Sequence, residues 1–304
     1  MPINSFQLRD KFLEFYKSKG HNILQSSSLV PKEDPTVLFN TAGMQPIVPY
    51  LMGQDHPEGV RLVNSQKCVR TDDIEEIGDN RHLTYFEMLG SWSLGDYFKK
   101  ESIEMGFEFL TSKEWLGLDP NRLFVTVYKG NLESQVEPDY EAIETWEKCF
   151  AKLGIDADTG VEYDFKKSDG ENKLIYRITQ KSGKDNWWGL PYRGPCGPCS
   201  EVYYLLDSIP LDFIDSILPL LQPDQQEKWL DDNIVEFWNH VFMEYIGEKN
   251  QQKEPLNLEP LAKKNIDTGM GFERTLAIIN GLDTVYQTDV LEPLVDIINK
   301  HKKS

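Results

Sequence analysis

Residues 267–274 read Asp-Thr-Gly-Met-Gly-Phe-Glu-Arg and contain the residue types best suited to chemistry in this chain. Gly269 and Gly271 allow a ligand to approach the backbone closely, because glycine has no Cβ. The apolar spacing that follows predicts a helix, so Arg274 falls in its first turn. Arginine offers planar donors for phosphate oxygens and a flat face for a ring. The pattern favours a nucleoside triphosphate site, with a Gly-rich turn before a surface helix as the alternative.

A second cluster lies upstream, where Arg70 ends an apolar run and an aromatic run follows over residues 84–98. A polar loop joins the two runs, so together they predict a β-hairpin. Side chains alternate along a strand, which sends Phe86 and Met88 to one face and Glu87 to the other. A phosphate chain and an adenine could therefore be held between two arginines and an aromatic strand.

These segments resemble the signature motifs of the class II aminoacyl-tRNA synthetases, and in detail those of the alanyl-tRNA synthetases. The matching runs occur in the order found in that family and extend over almost the whole chain. They are residues 15–21, 26–31, 34–39, 42–44, 65–70, 86–90, 194–199, 238–243 and 267–271. The resemblance is to the N-terminal catalytic domain of that family.

The resemblance implies an α+β fold in which an antiparallel β-sheet is flanked by helices. It implies that L-alanine is activated with ATP and Mg²⁺ to alanyl-adenylate and pyrophosphate. The alanyl group is then transferred to the 3′ end of tRNA(Ala). No catalytic nucleophile is needed, because the alanine carboxylate itself attacks the α-phosphorus.

The resemblance also implies roles for individual residues, with Arg70 at the α-phosphate and Arg274 at the γ-phosphate and adenine face as the catalytic pair. The implied ATP site consists of Arg70, His82, Phe86, Glu87, Met88, Gly271 and Arg274. The implied alanine site consists of Trp188, Asn239, Val241, Asp267 and Gly269. Asp267 would hold the ammonium group, and Glu201 is a candidate magnesium ligand.

Structural roles compete with these functional ones. Arg70 could pair with acidic neighbours on the surface, and Asp267 could cap the following helix. Phe86, Met88 and Trp188 could be packing residues. The motif Cys196-Gly-Pro-Cys199 also occurs in thioredoxin-like proteins, and cysteine pairs bind zinc. We do not expect redox chemistry, because two Gly-Pro pairs surround the motif and a strand pattern rather than a helix follows it. We do not expect structural zinc, because the other two cysteines form no second pair. We predict a Pro-rich turn that leads into a strand.

The bulk composition gives the setting. The chain has 304 residues, a formal net charge of −18 and four cysteines. No apolar stretch reaches the roughly 20 residues that span a bilayer, and no secretory signal is evident, so we expect a cytoplasmic protein without a membrane partner. Lys and Arg supply most non-specific affinity for RNA, so we expect weak tRNA binding by this acidic chain alone. We expect a monomer.

Periodicity predicts most of the elements. Helices are expected near the N-terminus behind a cap at Asn4 or Ser5, and over residues 102–116, 139–153, 272–280 and 288–300, with a helical insert over 208–233. Strands are expected around 36–39, within 61–98, and over 123–128, 200–204 and 235–245. Residues 160–184 are expected to form loops and short strands, and residues 248–265 a polar connection.

The expected organisation is a catalytic domain over residues 1–280 and the start of a helical tRNA-recognition region, cut short, over 281–304. Two other functions fit the same motifs. One is a synthetase paralogue that activates an amino acid for an acceptor other than tRNA. The other is a non-catalytic binding module, which the presence of Arg70, Asp267 and Arg274 disfavours.

Overall fold

A mixed β-sheet organises the computed structural model, which describes residues 2–31, 38–71, 74–164 and 173–302. The helices are α1 Ser5–Ser18, α2 Val48–Leu51, α3 Lys99–Thr111, α4 Tyr140–Lys152, α5 Gly183–Asn186, α6 Phe213–Ser216, α7 Pro223–Asn233, α8 Phe272–Ile279 and α9 Glu292–Lys302. The strands are β1 Asn22–Ile23, β2 Arg61–Val69, β3 Tyr85–Leu94, β4 Leu123–Tyr128, β5 Thr159–Val161, β6 Ile178–Lys181, β7 Trp187–Gly189, β8 Gly194–Leu205, β9 Ile234–Lys249 and β10 Pro255–Gly271.

The strand order is β1-β2-β3-β10-β9-β8-β4-β6-β5, with β7 paired to β8. The six strands from β2 to β4 in this order pair antiparallel, which confirms the predicted antiparallel sheet for the centre of the molecule. Strands β1, β5 and β6 pair parallel to their neighbours, so the sheet as a whole is mixed.

One face of this sheet packs on the long helices. Phe12 and Phe15 of α1, Phe109 of α3 and Trp146 of α4 are fully buried in one apolar core with Trp238 of β9. The opposite face carries a smaller apolar cluster beneath residues 42–51. Alternation along β3, β9 and β10 therefore leaves every second side chain on the face that the long helices do not cover.

Several predicted helices are confirmed. Asn4 caps α1 by accepting from the Gln7 N–H at 2.9 Å, and Asp139 caps α4. Gly154 follows α4 with φ of +76°, the conformation that ends helices. The helix predicted over 102–116 begins earlier and ends at Thr111, because the chain then turns back.

The polar connection predicted over 248–265 is wrong, because most of it belongs to β10. Strand β10 pairs with β3 only from Asn265 to Gly271. Its preceding residues pair with β9 alone, with register shifts between Leu256 and Glu259 and between Pro260 and Asn265. Residues 256–264 of β10 form an edge that is mostly exposed, so this segment lacks the sustained apolar alternation by which strands are recognised.

The turn predicted around Cys196 and Cys199 is also wrong. Both residues lie within β8, where the pairing with β9 shifts register between them. A Cβ on Gly197 would lie 1.9 Å from the Phe242 carbonyl oxygen, so the close approach of β9 requires glycine there. A bulged strand therefore takes the place of the turn.

The helical insert over 208–233 is confirmed as helical, though it is broken into α6, a 3₁₀ turn at Leu218–Leu220 and α7. Of the strand expected around residues 36–39, residues 36 and 37 lie outside the described residues, and residues 38 and 39 form a bend rather than a strand. In the part of the chain that the structure describes, no helix is both long and apolar enough to cross a bilayer.

Candidate active site

A cavity of about 380 Å³ opens on the sheet face that the long helices leave uncovered. It is lined by Ala42, Met44, Arg70, Arg81, His82, Leu83, Phe86, Met88, Trp188, Glu236, Phe237, Asn239, Val241, Asp267, Gly269, Gly271, Glu273 and Arg274. This set contains every residue predicted for ATP and alanine except Glu87. Segments far apart in sequence therefore converge on one site.

Arg70 stands at the end of β2, where its backbone N–H donates to the Thr84 carbonyl at 2.9 Å and closes the hairpin. Its Nε donates to the Thr41 carbonyl at 2.9 Å, and its guanidinium carbon lies 5.2 Å from the centroid of the Phe86 ring. The Nη atoms make no hydrogen bond within the described residues, so they remain available to an anion in the cavity.

Arg274 lies in the first turn of α8. Its Nη1 donates to the Glu236 carbonyl at 2.8 Å and lies 3.4 Å from Glu236 Oε2. The guanidinium is thus fixed against β9 at the cavity wall. The sequence predicted its place in the helix correctly, but not its partner Glu236.

Asp267 is the carboxylate on the cavity floor. It is buried, and Trp92 Nε1 donates to its Oδ1 at 2.7 Å. Burial raises the pKa of Asp267 to about 7, although the hydrogen bond from Trp92 opposes the rise. A cationic ligand would favour the ionised form.

Asn239 lies beside this carboxylate on β9, in register with Gly269. Its buried Oδ1 accepts no hydrogen bond within the described residues. A buried acceptor left without a donor costs about 1–3 kcal/mol. A ligand with an N–H group would supply the missing donor. Val241 and Trp188 form the apolar part of the wall nearby.

Glu87 is not brought to the cavity, because strand alternation points it to the helix face. There its carboxylate accepts from Arg9 and from Ser65 Oγ. The cavity instead receives Glu273 of α8, whose carboxylate accepts from the Glu87 backbone N–H at 3.1 Å. Burial raises the pKa of Glu273 to about 8.

His82 lines the cavity next to Arg81. Its two ring nitrogens lie against the carboxylates of Asp79 and Glu76, and its carbonyl accepts from the Tyr286 hydroxyl at 3.2 Å. Arg81 reaches across to Asp231 of the insert, with Nη2 2.8 Å from Oδ1. The loop beside the cavity is therefore tied to two distant segments.

Glu201 of β8 stands in register with Asn239, so its side chain lies on the cavity face of the sheet although it is not among the residues that line the cavity. Its Oε2 accepts from the Tyr203 hydroxyl at 2.6 Å. Burial and, next, the charge of Glu236 raise the pKa of Glu201 to about 8. No group of three or more His, Cys, Asp or Glu side chains is placed to hold a metal in the described ranges.

The cysteine pair does not have the environment of a redox centre. Both residues are buried on a strand rather than exposed at the start of a helix. Burial raises the pKa of Cys196 to about 11 and that of Cys199 well above its usual range. Thiols become reactive when their pKa is lowered, so this environment disfavours disulfide exchange.

Comparison with known proteins identifies the family. The model for tRNA synthetases class II (A) matches residues 7–304. The chain belongs to the class II (A) tRNA synthetases. The matched range includes the segments that form β2, β3, β10 and α8.

Curated relatives share the name alanine–tRNA ligase. This synthetase chain is 43% identical to the Treponema pallidum protein over 301 residues, which is 99% of this chain and 43% of the relative. It is 38% identical to the Schizosaccharomyces pombe protein over 95% of this chain and 27% of the relative. The chain therefore spans less than half the length of these relatives. Histidyl-tRNA synthetase of S. aureus aligns over 91% of this chain and 66% of its own, with 12% identity and a TM-score of 0.47.

Sequence reasoning missed four polar residues of this synthetase site, namely Trp92, Arg81, Glu236 and Glu273. A signal existed for Trp92, because it shares its strand face with Phe86 and Met88. The loop residue Arg81 and the partner Glu236 gave no comparable signal, since their positions depend on contacts between distant segments.

Proposed function

We propose that this domain activates L-alanine with ATP to give alanyl-adenylate and then transfers the alanyl group to the 3′ end of tRNA(Ala). The observation that carries the proposal is the convergence in one cavity of two arginines, a buried carboxylate and an amide oxygen that accepts no hydrogen bond from the described residues. The names of the curated relatives support the choice of alanine.

The ATP end is formed by Arg70, Phe86, Met88 and Arg274. The Nη donors of Arg70 bind the α-phosphate, where negative charge develops as the alanine carboxylate attacks. Arg274 binds the γ-phosphate end and covers the adenine. A bond forms between a carboxylate oxygen of alanine and the α-phosphorus, the bond from the α-phosphorus to the α,β-bridging oxygen breaks, and pyrophosphate leaves in line with the attacking oxygen.

The alanine end is formed by Asp267 and Asn239. Asp267 pairs with the ammonium group, and Asn239 Oδ1 accepts a hydrogen bond from one of its N–H groups. Both contacts strengthen in a site that excludes water. Val241 and Trp188 surround the methyl group. Such a pocket orients the carboxylate toward the α-phosphorus, which is the main catalytic contribution available without a protein nucleophile.

Two acidic side chains on neighbouring strands, Glu201 and Glu236, lie close enough for their charges to interact. Burial is the largest cause of the raised pKa of Glu201 and the charge of Glu236 is the next, and a divalent cation would relieve the repulsion between the two carboxylates. We assign them as the residues that would hold Mg²⁺. The ion offsets phosphate charge when bound.

The remaining parts of the proposal concern organisation. Residues 1–280 form the adenylate-forming unit, and residues 281–304 begin a helical tRNA-recognition region. In support, α9 has three exposed apolar residues, Leu294, Ile297 and Ile298. The net charge of −18 implies weak tRNA binding by this domain alone. We place a monomeric enzyme in the cytoplasm.

Amino-acid-dependent ATP–pyrophosphate exchange, followed by charging of a tRNA(Ala) transcript, tests the proposal. Alanine should support exchange better than glycine or serine by roughly 10- to 200-fold in kcat/KM, the range available to a small apolar pocket. Equal exchange with all three amino acids, or none with alanine, would contradict it. Exchange without tRNA charging would instead favour a different acceptor.

A further inference from the structure

Trp92 and Asp267 face each other directly across the pairing of β3 with β10. Side chains opposite one another in an antiparallel pair lie on the same face of the sheet. Trp92 is completely buried, and its Nε1 donates to Asp267 Oδ1 at 2.7 Å. This is the only hydrogen bond to the Asp267 carboxylate within the described residues.

Two glycines make room for the indole ring. A Cβ on Gly90 would lie 2.3 Å from Trp92 Cη2, and a Cβ on Gly43 would lie 3.2 Å from Trp92 Cζ2. Leu62 stands in register on the other side of Trp92. The ring is thus enclosed on several sides, so the direction of its N–H bond is fixed by packing.

The consequence concerns the second oxygen of Asp267. Oδ1 is occupied by the indole N–H, whereas Oδ2 has no donor in the part of the chain that the structure describes. Asp267 also lines the cavity. We propose that Trp92 is a positioning residue for the substrate ammonium group, because it holds one oxygen of Asp267 so that the other faces the ligand.

The proposal rests on the proposed function, since it takes Asp267 as the residue that binds the amino group. It assigns a specific part to the indole nitrogen rather than to the ring. A packing role alone would be met by any large apolar side chain. The same Trp→Phe substitution at position 92 and at a second buried tryptophan removes equal ring volume from both, so a difference between the two variants separates the two roles.

The test compares Trp92→Phe with Trp238→Phe. Trp238 is a matched control because it is equally buried, lies on the helix face of the sheet, and has an Nε1 with no hydrogen-bond partner among the described residues. Both variants should lose stability through lost ring volume. Only Trp92→Phe should raise the KM for alanine, by about tenfold, while the KM for ATP changes less than about twofold.

Three results would overturn the proposal: an unchanged KM for alanine in Trp92→Phe, an equal rise in Trp238→Phe, or equal rises for alanine and ATP. If Trp92→Phe does not fold, β-(3-benzothienyl)alanine at position 92 keeps the two fused rings and replaces N–H with sulfur. The same tenfold rise is expected there. An unchanged KM would again overturn the proposal.

Calorimetry of alanine binding separates this proposal from the proposed function. In one outcome the native protein catalyses exchange and binds alanine, and loss of the indole N–H changes neither. That outcome would contradict the role of Trp92 and leave the proposed function standing. Alanine binding that is weakened in the Trp92 variants, without exchange by the native protein, would support the positioning role and contradict the proposed reaction. Absence of both exchange and alanine binding would overturn both.

Discussion

Arg9 donates to both carboxylate oxygens of Glu87, at 2.9 Å each, on the sheet face away from the cavity. Burial alone would raise the pKa of Glu87, but the hydrogen bonds from Arg9 and Ser65 lower it below its ordinary value. The ion pair of Glu87 with Arg9 therefore joins β3 to α1. The link from Glu87 to the proposed ATP end is made by its backbone N–H, which donates to the Glu273 carboxylate.

We therefore expect Glu87→Gln to destabilise the protein by about 1–2 kcal/mol, because a charge-assisted pair is lost, with less than a twofold change in the KM for ATP. Chemical unfolding and exchange kinetics measure the two effects. Lys148→Gln, which breaks the exposed pair with Glu144, is the control and should cost less than about 0.5 kcal/mol. A large rise in the KM for ATP without loss of stability would show that Glu87 contacts the nucleotide.

Glu273 should act on ATP binding through the strand it holds. The carboxylate of Glu273 accepts a hydrogen bond from the backbone N–H of Glu87. This N–H lies between Phe86 and Met88, just beyond the last pair of β3 with β10. We expect Glu273→Leu, which has similar size and no acceptor, to raise the KM for ATP by about tenfold. Glu273→Gln keeps an acceptor oxygen and should change it less than about threefold. Equal effects of the two variants would contradict the role of this hydrogen bond in ATP binding.

Alanine binding should depend on pH through Asp267. Burial raises the pKa of this carboxyl to about 7, and only the ionised form pairs with the ammonium group. The KM for alanine should therefore rise as the pH falls below about 7 and reach a plateau above it. Exchange kinetics between pH 5.5 and pH 8.5, run at saturating ATP, measure this (about 1.5 pH units on either side of the pKa). A KM for alanine that is flat across this range would contradict the assignment.

The sequence predicted those parts of the site that local patterns carry. Alternation placed Phe86 and Met88 on the cavity face, and the Gly-x-Gly-x-x-Arg spacing placed Arg274 in the first turn of α8. These features depend on periods of 2 and 3.6 residues, which a single sequence displays.

Features that arise between distant segments could not be read in this way. Residues 256–264 of β10 are mostly exposed and lack sustained apolar alternation, so this segment resembled a loop. Glu236 and Arg81 take their positions from Arg274 and Asp231, which no local pattern connects to them. The segment from Cys196 to Cys199 resembled a turn because it contains Gly and Pro. It forms a bulged strand instead because β9 approaches Gly197 closely, and no local pattern shows that approach.

His240 should make the fold sensitive to acid. It is completely buried, with Nδ1 3.0 Å from Ser102 Oγ, and burial lowers its pKa from 6.5 to about 3. The unfolded chain therefore binds a proton between these values and the folded chain does not. Stability due to this group is complete above pH 6.5 and is lost toward pH 3, at up to about 1.4 kcal/mol per pH unit.

His240→Leu isolates this effect, since other titrating groups are common to both proteins. As the pH falls from 6.5 toward 4, the free energy of unfolding of the native protein should fall more than that of the variant. Denaturant titrations at several pH values measure it. A difference that does not depend on pH would show that His240 titrates normally in the folded state.

Alanine-dependent ATP–pyrophosphate exchange in Arg70→Ala and Asp267→Ala tests the central claim most directly. Each variant should lose about 100-fold or more in kcat/KM, Arg70→Ala chiefly through kcat and Asp267→Ala chiefly through the KM for alanine. Arg61→Ala, whose side chain pairs with Asp96 outside the cavity, is the control and should retain exchange. Full exchange in folded Arg70→Ala or Asp267→Ala protein would contradict the assignment of this cavity as the adenylate-forming site.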